Sequence, residues 1–216
     1  MTRNRRRLQA AAGIGAILLL LATLPIHAAP KPEPPPHPAV GQKFTPPALD
    51  RRHPVYETTF DDPAVLGDWR LEGGLSMNVA DGRLVLRSKP GSTRSEAHAN
   101  HLVCWLTREV PADFLLEFSV RPENRKQGLN IVFFNARGLH GENIFQPPIQ
   151  PRNGLFKQYH SGDLNNYHVS YWAGDRGTAN LRKNHGFHLV AVGKDLIAPA
   201  PADAFQTVGI YKRGAT

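Results

Sequence analysis

The sequence of 216 residues lacks the residues that several large protein classes require. Its single cysteine, Cys104, cannot build a disulfide framework, a cysteine-rich zinc site or an iron–sulfur cluster. A serine-hydrolase elbow, a His-Glu-x-x-His helix, a phosphate-binding loop and a dinucleotide fingerprint are also missing. Apolar residues make up 41% and charged residues 20%, close to the averages of globular proteins. We therefore expect one packed domain whose chemistry depends on His, Tyr, Arg, Asn or carboxylate groups.

The N-terminus has the organisation of an export signal. Four arginines and no acidic residue lie within residues 1–7, and the apolar run Leu8–Leu24 follows before Pro25. An uncleaved anchor is the competing interpretation, but a run of 17 residues is shorter than the roughly 20 that a membrane span needs. We therefore predict a signal peptide over residues 1–28, cleaved after Ala28. The protein is expected to be periplasmic or secreted, with no stable membrane insertion after cleavage.

Half of the positive net charge comes from this leader. With 26 basic and 18 acidic residues the chain carries +8, and +4 remains once the four leader arginines are removed. No motif interleaves basic and aromatic residues, so we expect no nucleic acid partner.

A proline-rich stretch follows the leader. Nine of the 19 prolines lie from Pro30 to Pro54, among few large apolar residues. This composition predicts an extended linker over residues 29–54, and a proline-rich ligand for a partner protein is the alternative. The folded domain is expected over residues 55–216.

Alternation with period two dominates the predicted domain, and no long amphipathic helix is found. The segment Asp81-Gly82 is typical of a two-residue hairpin turn. Facing residues across this turn must have numbers that sum to 163, which pairs Val79 with Leu84 and Met77 with Leu86. The full set of predicted strands is Tyr56–Phe60, Trp69–Leu71, Leu75–Val79, Leu84–Leu86, Leu102–Leu106, Phe114–Val120, Leu129–Phe133, Tyr167–Trp172, Phe187–Val192 and Phe205–Tyr211. The pattern predicts an all-β, antiparallel sandwich of two sheets.

Five blocks in order resemble the YesU-like family of bacterial proteins. They are Asp68–Gly74, Asn130–Phe134, Gly138–Phe145, Tyr159–Asn165 and Asn180–Phe187. The opening segments Tyr56–Asp61 and Asp81–Leu86 are similar to the entry strands of concanavalin-A-like lectin/glucanase jelly rolls. The resemblance implies this jelly-roll fold and a polysaccharide or oligosaccharide as ligand. It leaves the reaction open.

The C-terminus departs from such jelly rolls. A strand like Phe205–Tyr211 is normally followed by a turn, a strand with an Asn-Gly pair and a last strand, whereas this chain ends at Thr216. We expect a truncated product with an unpaired sheet edge, and a family variant with fewer strands is the alternative.

Polar residues able to do chemistry concentrate between His140 and His188, where five of the ten histidines lie. A retaining glycosidase needs two carboxyl groups about 5–5.5 Å apart, and the Glu-x-Asp-x-Glu strand typical of such jelly-roll enzymes is absent. Only Glu142 and Asp163 could meet, from separate segments. β-Elimination on a uronic-acid polymer instead needs a base, an acid and a group that neutralises the sugar carboxylate, for which Tyr, His, Arg and Asn suffice.

The sequence therefore predicts an exported carbohydrate-active protein, either a lyase or hydrolase or a lectin-like binding module without turnover. The expected catalytic residues are His160, Tyr159, His185, Arg182 and Tyr171. The expected substrate-binding residues are Asn165, His168, Trp172, Asn184, His140 and Glu142. Alternation places Tyr167 and Tyr171 on one strand face and His168, Ser170 and Trp172 on the other, so only one group can line a groove.

No cofactor is expected. A metal site of His160, Asp163 and His168 is an alternative, but its spacing matches no strong motif. Structural calcium near Asp61 and Asp62 is a further possibility, although these residues are more typical of a turn closed by Asx hydrogen bonds.

Overall fold

The computed structural model describes residues 49–90, 101–123, 129–171, 176–195, 201 and 203–214. The predicted signal peptide and residues 29–48 of the predicted linker lie outside these residues. The strands are β1 (Trp69–Gly73), β2 (Ser76–Ala80), β3 (Arg83–Arg87), β4 (Leu102–Leu106), β5 (Phe114–Val120), β6 (Asn130–Gly138), β7 (Leu164–Tyr171), β8 (Thr178–Asn184), β9 (His188–Lys194) and β10 (Gln206–Lys212). One four-residue helix, α1 (Lys157–His160), and a 3-10 helix (Pro63–Asp68) complete the described elements.

Every strand pairing is antiparallel. The largest sheet has the order β6-β7-β8-β9, and two-stranded ladders join β1 to β4, β2 to β3, and β5 to β10. In the described part of the chain, no helix is long and apolar enough to cross a membrane.

The β2–β3 hairpin has the predicted register. Val79 faces Leu84 and Met77 faces Leu86. Asp81 and Gly82 have φ angles of +51° and +66°, the left-handed values that a tight two-residue turn of this kind requires. Strands β4 and β5 also match the predicted segments, because strict alternation marks them in the sequence.

One predicted strand is absent from the structure, and one strand of the structure was not predicted. The segment Tyr56–Phe60 is not a strand, and its last residue has a φ of +58°, which lies outside extended conformations. Strand β8 was not predicted, because Arg182, Lys183 and Asn184 show no apolar alternation. These polar residues occur in a strand whose backbone N–H and C=O groups are hydrogen-bonded by the neighbouring strands β7 and β9 on both sides.

The buried core of the described residues lies where β4, β7, α1 and the segment before α1 meet. Its buried members are Trp105, Ile144, Tyr159 and Leu164, and Phe133 of β6 packs against them. The ring centroids of Trp105 and Phe133 are 5.8 Å apart, and those of Phe133 and Tyr159 are 5.6 Å apart. This aromatic contact anchors α1 to the sheet.

Candidate functional site

The two faces of β7 have different surroundings. Burial alternates along the strand, so that Asn166, His168 and Ser170 share one face with the core residue Leu164. Asn166 donates from Nδ2 to the carbonyl of Tyr159 in α1 at 2.8 Å, which shows that α1 lies over this face. We call the surface formed by this side of β6–β9 the α1 face.

The opposite face of the same sheet packs against β5. Phe134 stacks on Tyr167 with centroids 5.7 Å apart and meets Phe114 of β5 at 6.2 Å. Alternation places Asn165 and Tyr171 on this side. The face toward β5 is therefore occupied by aromatic packing, which leaves the α1 face as the candidate binding surface.

Three buried side chains on the α1 face form a directional hydrogen-bond chain. The Tyr159 carbonyl can only accept, so the Asn166 amide must present Nδ2 to it and Oδ1 to the next residue. Asn184 then donates from Nδ2 to Asn166 Oδ1 at 2.7 Å and to His168 Nδ1 at 2.8 Å. His168 Nδ1 therefore accepts, and the ring proton resides on Nε2.

His168 is held in the neutral form by this arrangement. Its side chain is 1% exposed, and burial together with the nearby Arg182 lowers its pKa to about 4. A buried group of this kind orders the site, and its Nδ1 is not available for a ligand. The predicted binding role of His168 is thus replaced by a positioning role.

His160, at the end of α1, lies between two phenylalanine rings. Its centroid is 4.6 Å from Phe156 and 4.6 Å from Phe187, and its Nδ1 lies 2.7 Å from Ser161 Oγ. Burial lowers its pKa, and the nearby Lys157, His185 and Arg182 add to the shift. At neutral pH this half-buried imidazole is therefore uncharged.

Arg182 of β8 is held against Phe187. Its guanidinium carbon lies 4.0 Å from the centre of the Phe187 ring, and Nη1 donates to the Phe187 carbonyl at 2.8 Å. Arg182 faces His168 across the β7–β8 ladder. Among the described residues, no carboxylate forms an ion pair with this half-buried guanidinium, and Nε and Nη2 have no protein acceptor.

The turn between β8 and β9 is tied to the end of α1. Gly186 donates its backbone N–H to the His160 carbonyl at 2.9 Å, and His185 Nδ1 lies 2.8 Å from the Gly162 carbonyl. Because a carbonyl only accepts, His185 carries its proton on Nδ1 and presents Nε2 as an acceptor when neutral. The Asn184–His185 peptide bond is cis.

We call the side chains of His160, Arg182, His185 and Phe187 the His160–Arg182 patch. The structure thus brings together three predicted catalytic residues, His160, Arg182 and His185, next to the buried pair His168 and Asn184. It does so because the β8–β9 turn and α1 share the hydrogen bonds described above.

Tyr159 does not fit its predicted catalytic role. The residue is fully buried, and its hydroxyl donates to Glu72 Oε2 at 2.9 Å while accepting from the Gly154 N–H at 3.0 Å. Burial and the adjacent Glu72 carboxylate raise its pKa far above the ordinary value. A phenol in this position stabilises the fold and cannot reach a substrate.

Glu72 of β1 is the centre of a buried ionic network that the sequence did not reveal. Its carboxylate accepts from Trp105 Nε1 at 3.1 Å, from Arg152 Nε at 2.9 Å and from Arg152 Nη2 at 2.7 Å, besides Tyr159. The side chains of Glu72 and Arg152 are only 2% and 5% exposed. This network attaches the segment that leads into α1 to β1.

Four further predicted site residues lie elsewhere. Tyr171 and Asn165 belong to the face toward β5, so the sheet itself separates them from His168. Asn165 accepts there from Lys183 Nζ. His140 and Glu142 lie in the turn after β6, where a Glu142 carboxylate oxygen accepts from the His140 N–H at 2.9 Å. Trp172 lies outside the described residues.

The alternative metal sites are not assembled. Within residues 49–90, 101–123, 129–171, 176–195 and 203–214, no three His, Cys, Asp or Glu side chains converge to hold a metal ion. Asp163 accepts instead from the Gln150 N–H at 3.3 Å. Asp62 caps the 3-10 helix by accepting from the Ala64 N–H at 2.8 Å, as expected for an Asx turn.

Sequence reasoning also missed Phe156 and Phe187, which enclose His160. The sequence did draw attention to Phe187, because this aromatic residue follows Gly186 in an otherwise polar block. Aromatic residues are common in strands, however, so its position alone did not indicate a binding site. Glu72 gave no signal, because the apolar positions Trp69 and Leu71 alternate with it and assign it to the exposed side of β1.

Comparisons with known proteins agree with this architecture. The chain matches a family model described as a domain of unknown function (DUF1961) over residues 53–215. It is 36% identical over 156 residues to the uncharacterized protein YesU of Bacillus subtilis (strain 168), covering 69% of this chain and 67% of that protein. A crystal structure of a protein of unknown function with galectin-like fold from Bacillus subtilis is 32% identical, with a TM-score of 0.63, covering 73% of this chain and 71% of that one.

These matches confirm the YesU-like resemblance and the predicted antiparallel jelly-roll sandwich. The family model covers well over half of the chain. The chain therefore belongs to the DUF1961 family, of which the family description assigns no function.

Proposed function

We propose that this protein is exported and binds a saccharide on the α1 face, at the His160–Arg182 patch. The observation that carries the proposal is a set of donors and acceptors held in place on the sheet face that does not pack against β5. Arg182 offers the unused donors Nε and Nη2, and exposed His185 offers Nε2 as an acceptor. Saccharide hydroxyls need both kinds of partner.

The rigidity of this patch favours binding. Arg182 is positioned by the Phe187 ring and carbonyl, and His185 is positioned by the Gly162 carbonyl. Side chains that are already ordered lose less conformational entropy when a ligand arrives. The galectin-like fold of the similar crystal structure adds a fold-level analogy for a saccharide as ligand. Export rests on the composition of residues 1–28.

Binding without turnover is favoured over glycoside hydrolysis. Hydrolysis by a retaining mechanism needs two close carboxyl groups in an accessible site. The buried carboxylate nearest to α1, Glu72, is saturated by its partners Trp105, Arg152 and Tyr159. Glu142 lies in the turn after β6, where its carboxylate accepts from the His140 N–H.

β-Elimination is the second candidate, because one observation favours it. His160 is uncharged at neutral pH and lies close to Arg182 along the Phe187 ring. In such a reaction the imidazole takes the proton next to a sugar carboxylate and the bond to the leaving oxygen breaks. A carbon–carbon double bond forms, and the leaving oxygen takes up a proton.

The test is affinity electrophoresis of the full chain in gels that contain plant or algal polysaccharides. The His185→Ala variant removes the proposed acceptor, and His53→Ala, which changes an exposed histidine beside Asp50, is the matched control. We expect retention of the wild type and of His53→Ala, and a loss of affinity of about 3- to 10-fold for His185→Ala, the range for one hydrogen bond.

Two outcomes decide between the candidates. Retention without ultraviolet absorbance from unsaturated uronates supports binding alone. Absorbance that is lost in His160→Gln supports elimination. If no polysaccharide in the panel retains the wild type, the proposed function is refuted.

A further inference from the structure

The charge around Arg182 bears on which saccharides the patch could take. The other arginine near α1, Arg152, is neutralised by Glu72 with two hydrogen bonds. Arg182 is half-buried as well, yet no described carboxylate lies within ion-pair distance of it. The groups that shift the pKa of His160 electrostatically are Lys157, His185 and Arg182, none of them acidic. Among the described residues, Arg182 therefore has no carboxylate of its own to balance its charge.

The geometry of Arg182 further limits the ligand. One guanidinium nitrogen is committed to the Phe187 carbonyl, and the guanidinium lies against the Phe187 ring, so its position is fixed. Two nitrogens, Nε and Nη2, have no acceptor among the described residues and remain for an external one. A guanidinium matches a planar carboxylate by two parallel hydrogen bonds, a geometry that an ammonium group cannot reproduce.

The charges at the patch match a ligand group that carries one negative charge. His160 and His168 are neutral at pH 7. Within the His160–Arg182 patch, Arg182 is therefore the one permanent cation, and the exposed Lys157 lies at the border of the patch. A carboxylate carries one negative charge, and the hydroxyls beside it on a sugar ring are the partners that neutral imidazoles serve.

We infer that the saccharide class is acidic, and that Arg182 receives the carboxylate of a uronic acid residue within the glycan. This inference rests on the proposed saccharide binding at the same patch and specifies its ligand. Arg182 is the specificity-determining residue, and Phe187 positions it.

The experiment compares paired polymers that differ only in the carboxylate. The full chain is titrated calorimetrically with oligosaccharides of polygalacturonate and of alginate, and with the same preparations after reduction of the carboxyl groups to alcohols. We expect the acidic forms to bind at least about 10-fold more tightly than the reduced ones, since a charge-assisted hydrogen bond contributes about 1.5–3 kcal/mol.

Three variants assign the effect. Arg182→Gln should lose about 10- to 100-fold in affinity for the acidic form and clearly less for the reduced form, in which Arg182 has only hydroxyl acceptors. Arg182→Lys keeps the charge but cannot form the two parallel hydrogen bonds, so we expect a loss of affinity of intermediate size. Arg83→Gln removes an exposed arginine that also lies over a phenylalanine, 5.3 Å from the Phe205 ring, and should bind like the wild type. Thermal unfolding midpoints verify that each variant is folded.

The outcomes separate this inference from the function on which it rests. Equal affinity for acidic and reduced oligosaccharides overturns the inference while saccharide binding stands. Equal losses in Arg83→Gln and Arg182→Gln indicate general charge attraction and also overturn it. A sulfated polymer without carboxylates that binds as tightly as the uronates overturns the carboxylate assignment. Failure of every acidic and reduced polymer to bind refutes saccharide binding itself.

Discussion

Replacing Glu72 by alanine should destabilise the domain more than any surface substitution. The carboxylate is 2% exposed and accepts four hydrogen bonds from three side chains, Trp105, Arg152 and Tyr159. Its removal leaves the Arg152 guanidinium, 5% exposed, without a counter-charge. Breaking a buried ion pair in this way typically costs about 3–5 kcal/mol. Because whole domains are stable by only about 5–15 kcal/mol, Glu72→Ala should be close to unfolded under mild conditions.

The assay is urea denaturation followed by far-ultraviolet circular dichroism and tryptophan fluorescence. Trp105, one of the three tryptophans, donates to Glu72, so part of the emission reports on the network. The matched control is Glu117→Ala, which breaks the exposed pair with Arg51 and should change the free energy of unfolding by about 0–1 kcal/mol.

A double-mutant cycle tests the reasoning further. Arg152→Ala alone leaves the Glu72 charge buried, whereas the double variant removes both charges. The two single losses should therefore sum to clearly more than the loss in the double variant, by at least about 1 kcal/mol. A Glu72→Ala loss below about 1 kcal/mol, or additive losses in the cycle, would contradict the account of a buried, coupled pair.

Two further predictions follow from local geometry. His168 keeps a pKa of about 4 in the fold against 6.5 ordinarily, so the unfolded chain binds a proton first as the pH falls. The free energy of unfolding should therefore drop between about pH 6.5 and 4, by up to about 3 kcal/mol from this group, and His168→Gln should remove that part of the pH dependence in urea titrations; an unchanged slope would contradict it. Gly154→Ala would place a Cβ 2.3 Å from the His101 carbonyl at a φ of +91°, and should lower the thermal midpoint, whereas Gly209→Ala, with open space around it, should not; equal midpoints would refute this contact.

The strands and the register of the hairpin could be predicted, since alternation is a local property of the chain. The pairs Val79 with Leu84 and Met77 with Leu86 follow from a two-residue turn by counting alone. Strand β8 escaped prediction, because Arg182, Lys183 and Asn184 have no apolar alternation. Their extended conformation is imposed by two flanking strands, a tertiary effect that overrides local propensity.

The sequence predicted several residues of the candidate site, but it did not predict which face of the sheet each of them occupies. His160, Arg182 and His185 were expected together, and the structure gathers them. Tyr171 and Asn165 were expected with them although they point to the other side of β7. Alternation separates these faces, but it does not say which face packs against a second sheet. The burial of Tyr159 depends on Glu72, which is 87 residues distant in sequence and therefore invisible to local patterns.

One group sets the donor-to-acceptor direction of the whole hydrogen-bond chain through Asn166, Asn184 and His168. The Tyr159 main-chain carbonyl has no hydrogen to give, so it dictates the orientation of Asn166, then of Asn184, and finally the tautomer of an imidazole that it never touches. Exchanging the side-chain nitrogen of Asn184 for an oxygen, as the Asn184→Asp substitution does, would keep the shape of the side chain but set acceptor against acceptor. The exchange of that single atom would thus favour an imidazolium under the sheet surface.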